Sequence, residues 1–128
     1  EEVIIDAPGG KENVKRIVFC SGKVYHDLVD YRREAGREQD VALIRLEQLY
    51  PFPRARVQHV VDSHPDCEFV FCQEEPRNMG PWSFTLQRMQ ELGFTPRYAG
   101  RAASASPATG SYTLHQSQQR QLLSSAVD

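Results

Sequence analysis

Residues 16–21 read RIVFCS, residues 41–46 read VALIRL and residues 67–72 read CEFVFC. Each run is short, rich in β-branched or aromatic residues, and continuous rather than alternating. A strand packed on one face alternates apolar with polar; a strand covered on both faces does not. The three runs therefore predict the buried strands of a mostly parallel sheet. Residues 97–102 are a weaker fourth candidate, and Val3–Ile5 reads as either an edge strand or a tail.

Helical spacing fills the intervals. Val24, Leu28, Tyr31 and Ala35 recur at i, i+4, i+7 and i+11, with Gly36 as a stop. Val57, Val60, Val61 and His64 form a second stripe, with Pro51 and Pro53 ahead of it and Pro65 behind. Trp82, Leu86 and Met89 form a third, closed by Gly93. A Gln-rich segment from about Tyr112 to Val127 carries Leu122, Leu123, Ala126 and Val127 as its anchoring face, with Ser111 as its N-cap and residues 102–111 as the loop before it. The order β-α-β-α-β-α-β-α predicts right-handed crossovers and an α/β fold: a three-layer α/β/α sandwich with about five strands. Phe19, Leu43, Ile44, Phe69 and Phe71 are expected in the core, and Trp82 at the rim of the sheet or at an interface. Residues 1–12 read as a linker or edge segment from a preceding domain, and residues 13–128 as the domain itself.

At 128 residues and 14.6 kDa the chain has room for one core. Its net charge of −2 excludes the strongly basic footprint of a nucleic-acid binder. Arginines nevertheless outnumber lysines twelve to three, and the guanidinium fork suits phosphate or carboxylate. No apolar run is long enough to span a bilayer, and no secretory signal opens the chain. Three cysteines without CxxC spacing fit neither a disulfide scaffold nor a zinc site, which favours a reducing, intracellular compartment. The chain opens on Glu1 rather than Met, so it is expected to be part of a longer polypeptide.

Parallel sheets place ligands beyond the carboxyl ends of their strands. No GxGxxG, GxxxxGK[ST] or GxSxG motif occurs there. Ser21-Gly22-Lys23 reads as an anion-binding turn or as an ordinary turn with a solvated lysine. Glu74 and Glu75, adjacent on an extended segment, point to opposite faces and fit a structural ion pair or cap better than an acid–base pair. The four histidines include only one close pair, His59 and His64, off the i, i+4 spacing of a helical metal site. Arg54 and Arg56 open the second helix, where unpaired backbone N–H groups favour anions. They read as an anion site, together with Lys23, or as plain surface charge.

Four longer strings add to this: VKRIVFCSGKVYHDL from Val14, RLEQLYPFP from Arg45, FCQEEPRNMGPWSF from Phe71 and GRAASASPATGSYTLHQ from Gly100. Together they make the chain, from about Asn13 onward, similar to the C-terminal domain of the 2-oxoglutarate dehydrogenase family, the thiamine-dependent decarboxylating components. The 2-oxoadipate branch shares QEEPxNMGPWSF, while YPFP and SASPATG favour the 2-oxoglutarate branch. His26 stands where the family often has Tyr, and Gln118 where it often has Glu. The resemblance implies a transketolase C-terminal-type fold. It further implies a parent enzyme that uses thiamine diphosphate and Mg²⁺ to decarboxylate 2-oxoglutarate in the tricarboxylic acid cycle, passing the succinyl group to a lipoyl arm.

On that reading this chain is a structural and regulatory domain with no catalytic residue and no cofactor or metal of its own. Its implied partners are the upstream domains, a second copy in a homodimer, and the dihydrolipoyl succinyltransferase complex. The regulation of some family members by acetyl-CoA or AMP adds weight to the anion site read at Arg54, Arg56 and Lys23 but does not fix those positions. Neither nucleic acid nor membrane is among the implied partners. The implied compartment is the cytoplasm in a bacterium and the mitochondrial matrix in a eukaryote. The alternative is a free-standing nucleotide or acyl-CoA binding module with the same fold.

Overall fold

The computed structural model describes residues 3–103 and 112–128. Five strands form one sheet: β1 (Val3–Asp6), β2 (Arg16–Cys20), β3 (Val41–Leu46), β4 (Glu68–Pro76) and β5 (Arg97–Arg101). Four helices flank it: α1 (Val24–Glu34), α2 (Arg54–Ser63), α3 (Trp82–Glu91) and α4 (Tyr112–Val127). A single 3-10 turn (Lys11–Asn13) precedes β2. The strand order is β1-β3-β2-β4-β5, parallel throughout except for β1, which runs antiparallel to β3 as an edge strand. This is the transketolase C-terminal-type arrangement that the resemblance implies.

The chain turns left from β2 to β3 and then right to β4 and β5. Right-handed crossovers consequently put α1 on one face of the sheet and α2 and α3 on the other. Two separate cores follow from this. Val18, Cys20, Leu43, Val70, Cys72 and Ala99 face α1 and α4. Ile17, Phe19, Ile44, Leu46 and Phe71 face α2 and α3. Because both faces are covered, the strands read as continuous apolar runs.

Helices α1 and α3 both stop on a glycine. Gly36 and Gly93 adopt φ of 69° and 96°, and Arg37 N–H and Phe94 N–H reach back to the carbonyls of Arg32 and Met89. This double wrap of the last turn needs a left-handed residue, which glycine supplies without a Cβ clash.

Phe19, Leu43, Ile44 and Phe71 are fully buried as expected. Phe69 is only half-buried; it lies near the start of β4, with its ring against Phe19 and Phe94. Trp82 is buried, its ring tilted against those of Phe71 and Tyr98, with the Arg77 guanidinium over it. Strand β4 also runs on through Gln73, Glu74 and Glu75, past the apolar run that ends at Cys72. An irregularity between Cys72 and Pro76 lets it keep its pairing with β5. Ser111 and most of the loop before α4 lie outside the described residues.

Candidate functional site

The sheet reverses its winding between β2 and β4, and the crevice beyond their carboxyl ends is where an open α/β sheet presents its binding groups. Lys23, at the N-cap position of α1, places Nζ 2.9 Å from Glu74 at the end of β4. That contact, first as a hydrogen bond and then as a charge, raises the Lys23 ammonium pKa above its ordinary value. Glu74 also accepts a 2.8 Å hydrogen bond from Gln119 of α4, whose amide reaches Asp27 of α1 as well. Arg101, at the end of β5, donates to the Glu74 backbone carbonyl and to Gln119 at 3.1 Å. It also lies 3.3 Å from the Gln118 oxygen and 3.3 Å from His115 Nδ1. The crevice is thus bridged by α4, with its carboxylates and cations turned on one another.

Strand alternation sends Glu75 the other way, where its side chain lies against Gly80. A Cβ at Gly80 would come within 2.9 Å of the Glu75 Cβ, and φ there is 66°, so this turn requires glycine twice over. Neighbouring Gln73 is buried; its amide donates towards the carbonyls of Glu75, Pro76 and Met79, holding the bend between β4 and α3. Tyr98 donates its hydroxyl proton to the Arg101 carbonyl, and burial is the main cause of its raised pKa.

The other predicted cations lie across the sheet. Arg54, the first residue of α2, is 2.7 Å from Glu91 at the end of α3. Glu91 also meets Arg88 at 3.0 Å. The hydrogen bond from Arg54 is the chief reason that its carboxyl titrates below the usual range. Arg56 is exposed on the same first turn and has a partner of its own. Lys23 belongs to the α1 face and the two arginines to the α2 face, so the fold does not gather the three into one pocket. Among the described residues, no three His, Cys, Asp or Glu side chains are placed to share a metal ion. No described helix is long and apolar enough to cross a membrane.

Sequence reasoning missed Arg32. It is buried on α1, 3.1 Å from Asp6, and donates to the carbonyls of Asp6 and Val41, locking β1 onto the sheet. The signal was there: Arg32 stands four residues past Leu28 on the buried stripe. The arginines at the amino ends of β2 and β5 went unread too. Arg16 and Arg97 sandwich Glu68 at 2.7 and 2.8 Å and donate to the last carbonyls of α4, those of Val127 and Ser125. Hydrogen bonding from Arg97, and then from Arg16, holds the Glu68 carboxyl below its usual pKa.

Residues 1–127 match the family model described as 2-oxoglutarate dehydrogenase C-terminal. The chain is 50% identical over 117 residues to the 2-oxoglutarate dehydrogenase E1 component of Cupriavidus necator, covering 88% of this chain and 12% of that protein. It is 47% identical over 116 residues to the mitochondrial 2-oxoglutarate dehydrogenase of Caenorhabditis briggsae, covering 88% and 11%. Against the E1 component of Haemophilus influenzae it is 46% identical over 120 residues, covering 91% and 13%. The chain therefore spans only about an eighth of the relatives it matches. With the family model covering all but its last residue, and with the strings from Val14, Arg45 and Phe71 set on β2–α1, β3–α2 and β4–α3, the chain belongs to the 2-oxoglutarate dehydrogenase C-terminal family.

Proposed function

We propose that this chain is the structural and regulatory C-terminal domain of a decarboxylating component that converts 2-oxoglutarate and passes the succinyl group to a lipoyl arm. The observation that carries this reading is the bridged crevice between β2 and β4, where Lys23, Asp27, Glu74, Arg101 and Gln119 satisfy one another. A general acid or base needs a proton path to substrate, and these groups are committed to holding α1, α4 and the strand ends together. The donor set does not fit thiamine diphosphate with Mg²⁺ either. A magnesium site wants convergent oxygen ligands, carboxylates among them, and no three Asp, Glu, His or Cys side chains converge among the described residues. The thiamine chemistry is accordingly assigned to the upstream part of a parent chain, and no step to this one. Residues ahead of Asn13 would be the entry from that part, with β1 taken into this sheet. A homodimer, the succinyltransferase complex, and a matrix or bacterial cytoplasmic location belong to the same reading. Calorimetric titration of the 128-residue chain with thiamine diphosphate and Mg²⁺ should give no saturable heat. Micromolar saturable binding would overturn the assignment.

A second reading concerns regulation by acetyl-CoA or AMP. Arg54 and Arg56 stand on the first turn of α2, where the Arg54 N–H already donates to the Phe52 carbonyl at 2.8 Å, and a phosphate could take the place of the Glu91 carboxylate on the Arg54 guanidinium. Lys23, across the sheet, would then serve only a separate contact. In a full-length enzyme, Arg54→Ala/Arg56→Ala should weaken acetyl-CoA binding about 100-fold, the equivalent of two charge-assisted hydrogen bonds. Unchanged affinity at low and moderate salt would return both to surface charge.

A further inference from the structure

A slot of about 60 Å³ opens between the end of β1, the 3-10 turn and the second half of α2, far along the sheet from the crevice described above. Buried Ile17, Ala42, Ile44 and Val60 line its interior. Exposed Lys11 and His59 stand at its opening. The space exists because Ala42 is small where its register partner is Ile17 and its neighbour along the face is Ile44. Neither Asp nor Glu lines the slot, although the chain as a whole is acidic.

The polar groups around the slot are not equivalent. Ser63 spends its hydroxyl proton on the His59 carbonyl at 2.7 Å. His64 Nδ1 lies 2.9 Å from the Val60 carbonyl, which can only accept, so Nδ1 carries a proton and donates it there. The Lys11 ammonium, by contrast, has no ion-pair partner among the described residues, and neither has the His59 ring a hydrogen bond. The slot thus pairs a dry aliphatic interior with an uncommitted cation and an uncommitted ring donor at the opening. By volume it accepts about four or five heavy atoms.

We propose that this slot binds a short branched aliphatic monocarboxylate, its alkyl end against Ala42, Ile44 and Val60 and its carboxylate between Lys11 and His59. The alkyl end is drawn in by loss of apolar contact with water. The carboxylate selects the ligand over a neutral isostere, because only an anion gains from the ammonium. This site is independent of the crevice and of the arginines on α2.

The probe is isovalerate, titrated into the 128-residue chain with NMR detection of isoleucine methyl and histidine ring signals. Saturable shifts confined to Ile5, Ile17, Ile44 and His59 are expected, with 3-methylbutan-1-ol binding at least about fivefold more weakly. Ala42→Ile, which fills the slot, should weaken isovalerate at least about tenfold. Lys11→Met alters only an exposed side chain, and should bring isovalerate down to the affinity of the alcohol while leaving the alcohol unchanged. No saturable shift, equal affinity for acid and alcohol, or unchanged binding in Lys11→Met would each overturn the proposal. So would concentration-dependent shifts without ligand that Ala42→Ile abolishes, since a second copy of the chain would then be the occupant.

Discussion

The two faces of the sheet are built from different materials. On the α2–α3 face the contacts are large and aromatic: Phe19, Phe69 and Phe94 form one cluster, and Phe71, Trp82 and Tyr98 a second capped by Arg77. On the α1–α4 face the strands offer valines, Leu43, Ala99 and the thiols of Cys20 and Cys72. Small side chains bury less area each, and the α1–α4 face adds polar ties at both ends of α4. Glu74, itself paired with Lys23, and Arg101 engage the first half of the helix, and Arg16 and Arg97, both paired with Glu68, its last turn. The α2–α3 face also carries the exposed pairs of Arg54 and Arg88 with Glu91. Its strands nevertheless meet the helices through aromatic bulk, whereas the α1–α4 face combines aliphatic packing with charge at both ends of α4. Ring burial is insensitive to pH and salt, whereas ion pairs are not.

The largest test of that contrast is Phe71→Ala, which removes a fully buried ring under Trp82 and should cost about 3–5 kcal/mol. Phe69→Ala, at a half-buried position, should cost clearly less; denaturant midpoints decide, and equal losses would erase the distinction between the strand start and its centre.

The next effect lies on the opposite face. Burial pushes the Cys20 thiol up to about 12 and the Cys72 thiol higher still. An unfolded thiol ionises near its ordinary value of 9.0, so above that pH the unfolded chain sheds protons that the folded one keeps. Stability is therefore whole below pH 9 and falls above it, by on the order of 1 kcal/mol per pH unit for each thiol. Cys20→Val/Cys72→Val should flatten the decline between pH 9 and 10.5, and a decline of the same slope in that variant would place its origin elsewhere.

The smallest effect is Glu68→Gln. Its carboxylate is two-fifths exposed, so the loss should stay under about 1 kcal/mol. Because the folded pKa is lowered, the wild-type contribution is present above the ordinary carboxyl value of 4.5 and fades as pH falls below it. Hydrogen exchange should quicken in the last turn of α4 in the variant and be unchanged in α2.

Much of this molecule is legible along the chain. The run at 16–21 overruns β2 by one residue and that at 41–46 coincides with β3, while the apolar stripes ending at Gly36 and Gly93 match α1 and α3, because local periodicity and a required left-handed residue act over a few positions. Glu74 and Glu75 part to opposite faces because strand alternation compels it. The candidate site was less legible. Nothing in RARVQH or SGKVYH tells that the two turns sit on opposite faces, or that Glu91 and Glu74 reach back to them.

What the sequence determined alone is the α/β class, the double-sided burial of the parallel strands and, through four long strings, the family. These rest on the period of apolar residues and on the identity of contiguous ones. Only the tertiary structure decided that β1 docks antiparallel through buried Arg32, that β4 extends through three polar residues, and that every arginine from Arg16 to Arg101 named above has its particular partner. Those outcomes depend on groups far apart in the chain that meet within a few ångströms, as Arg16 meets Val127 across 111 positions, and a one-dimensional pattern carries no record of such distances.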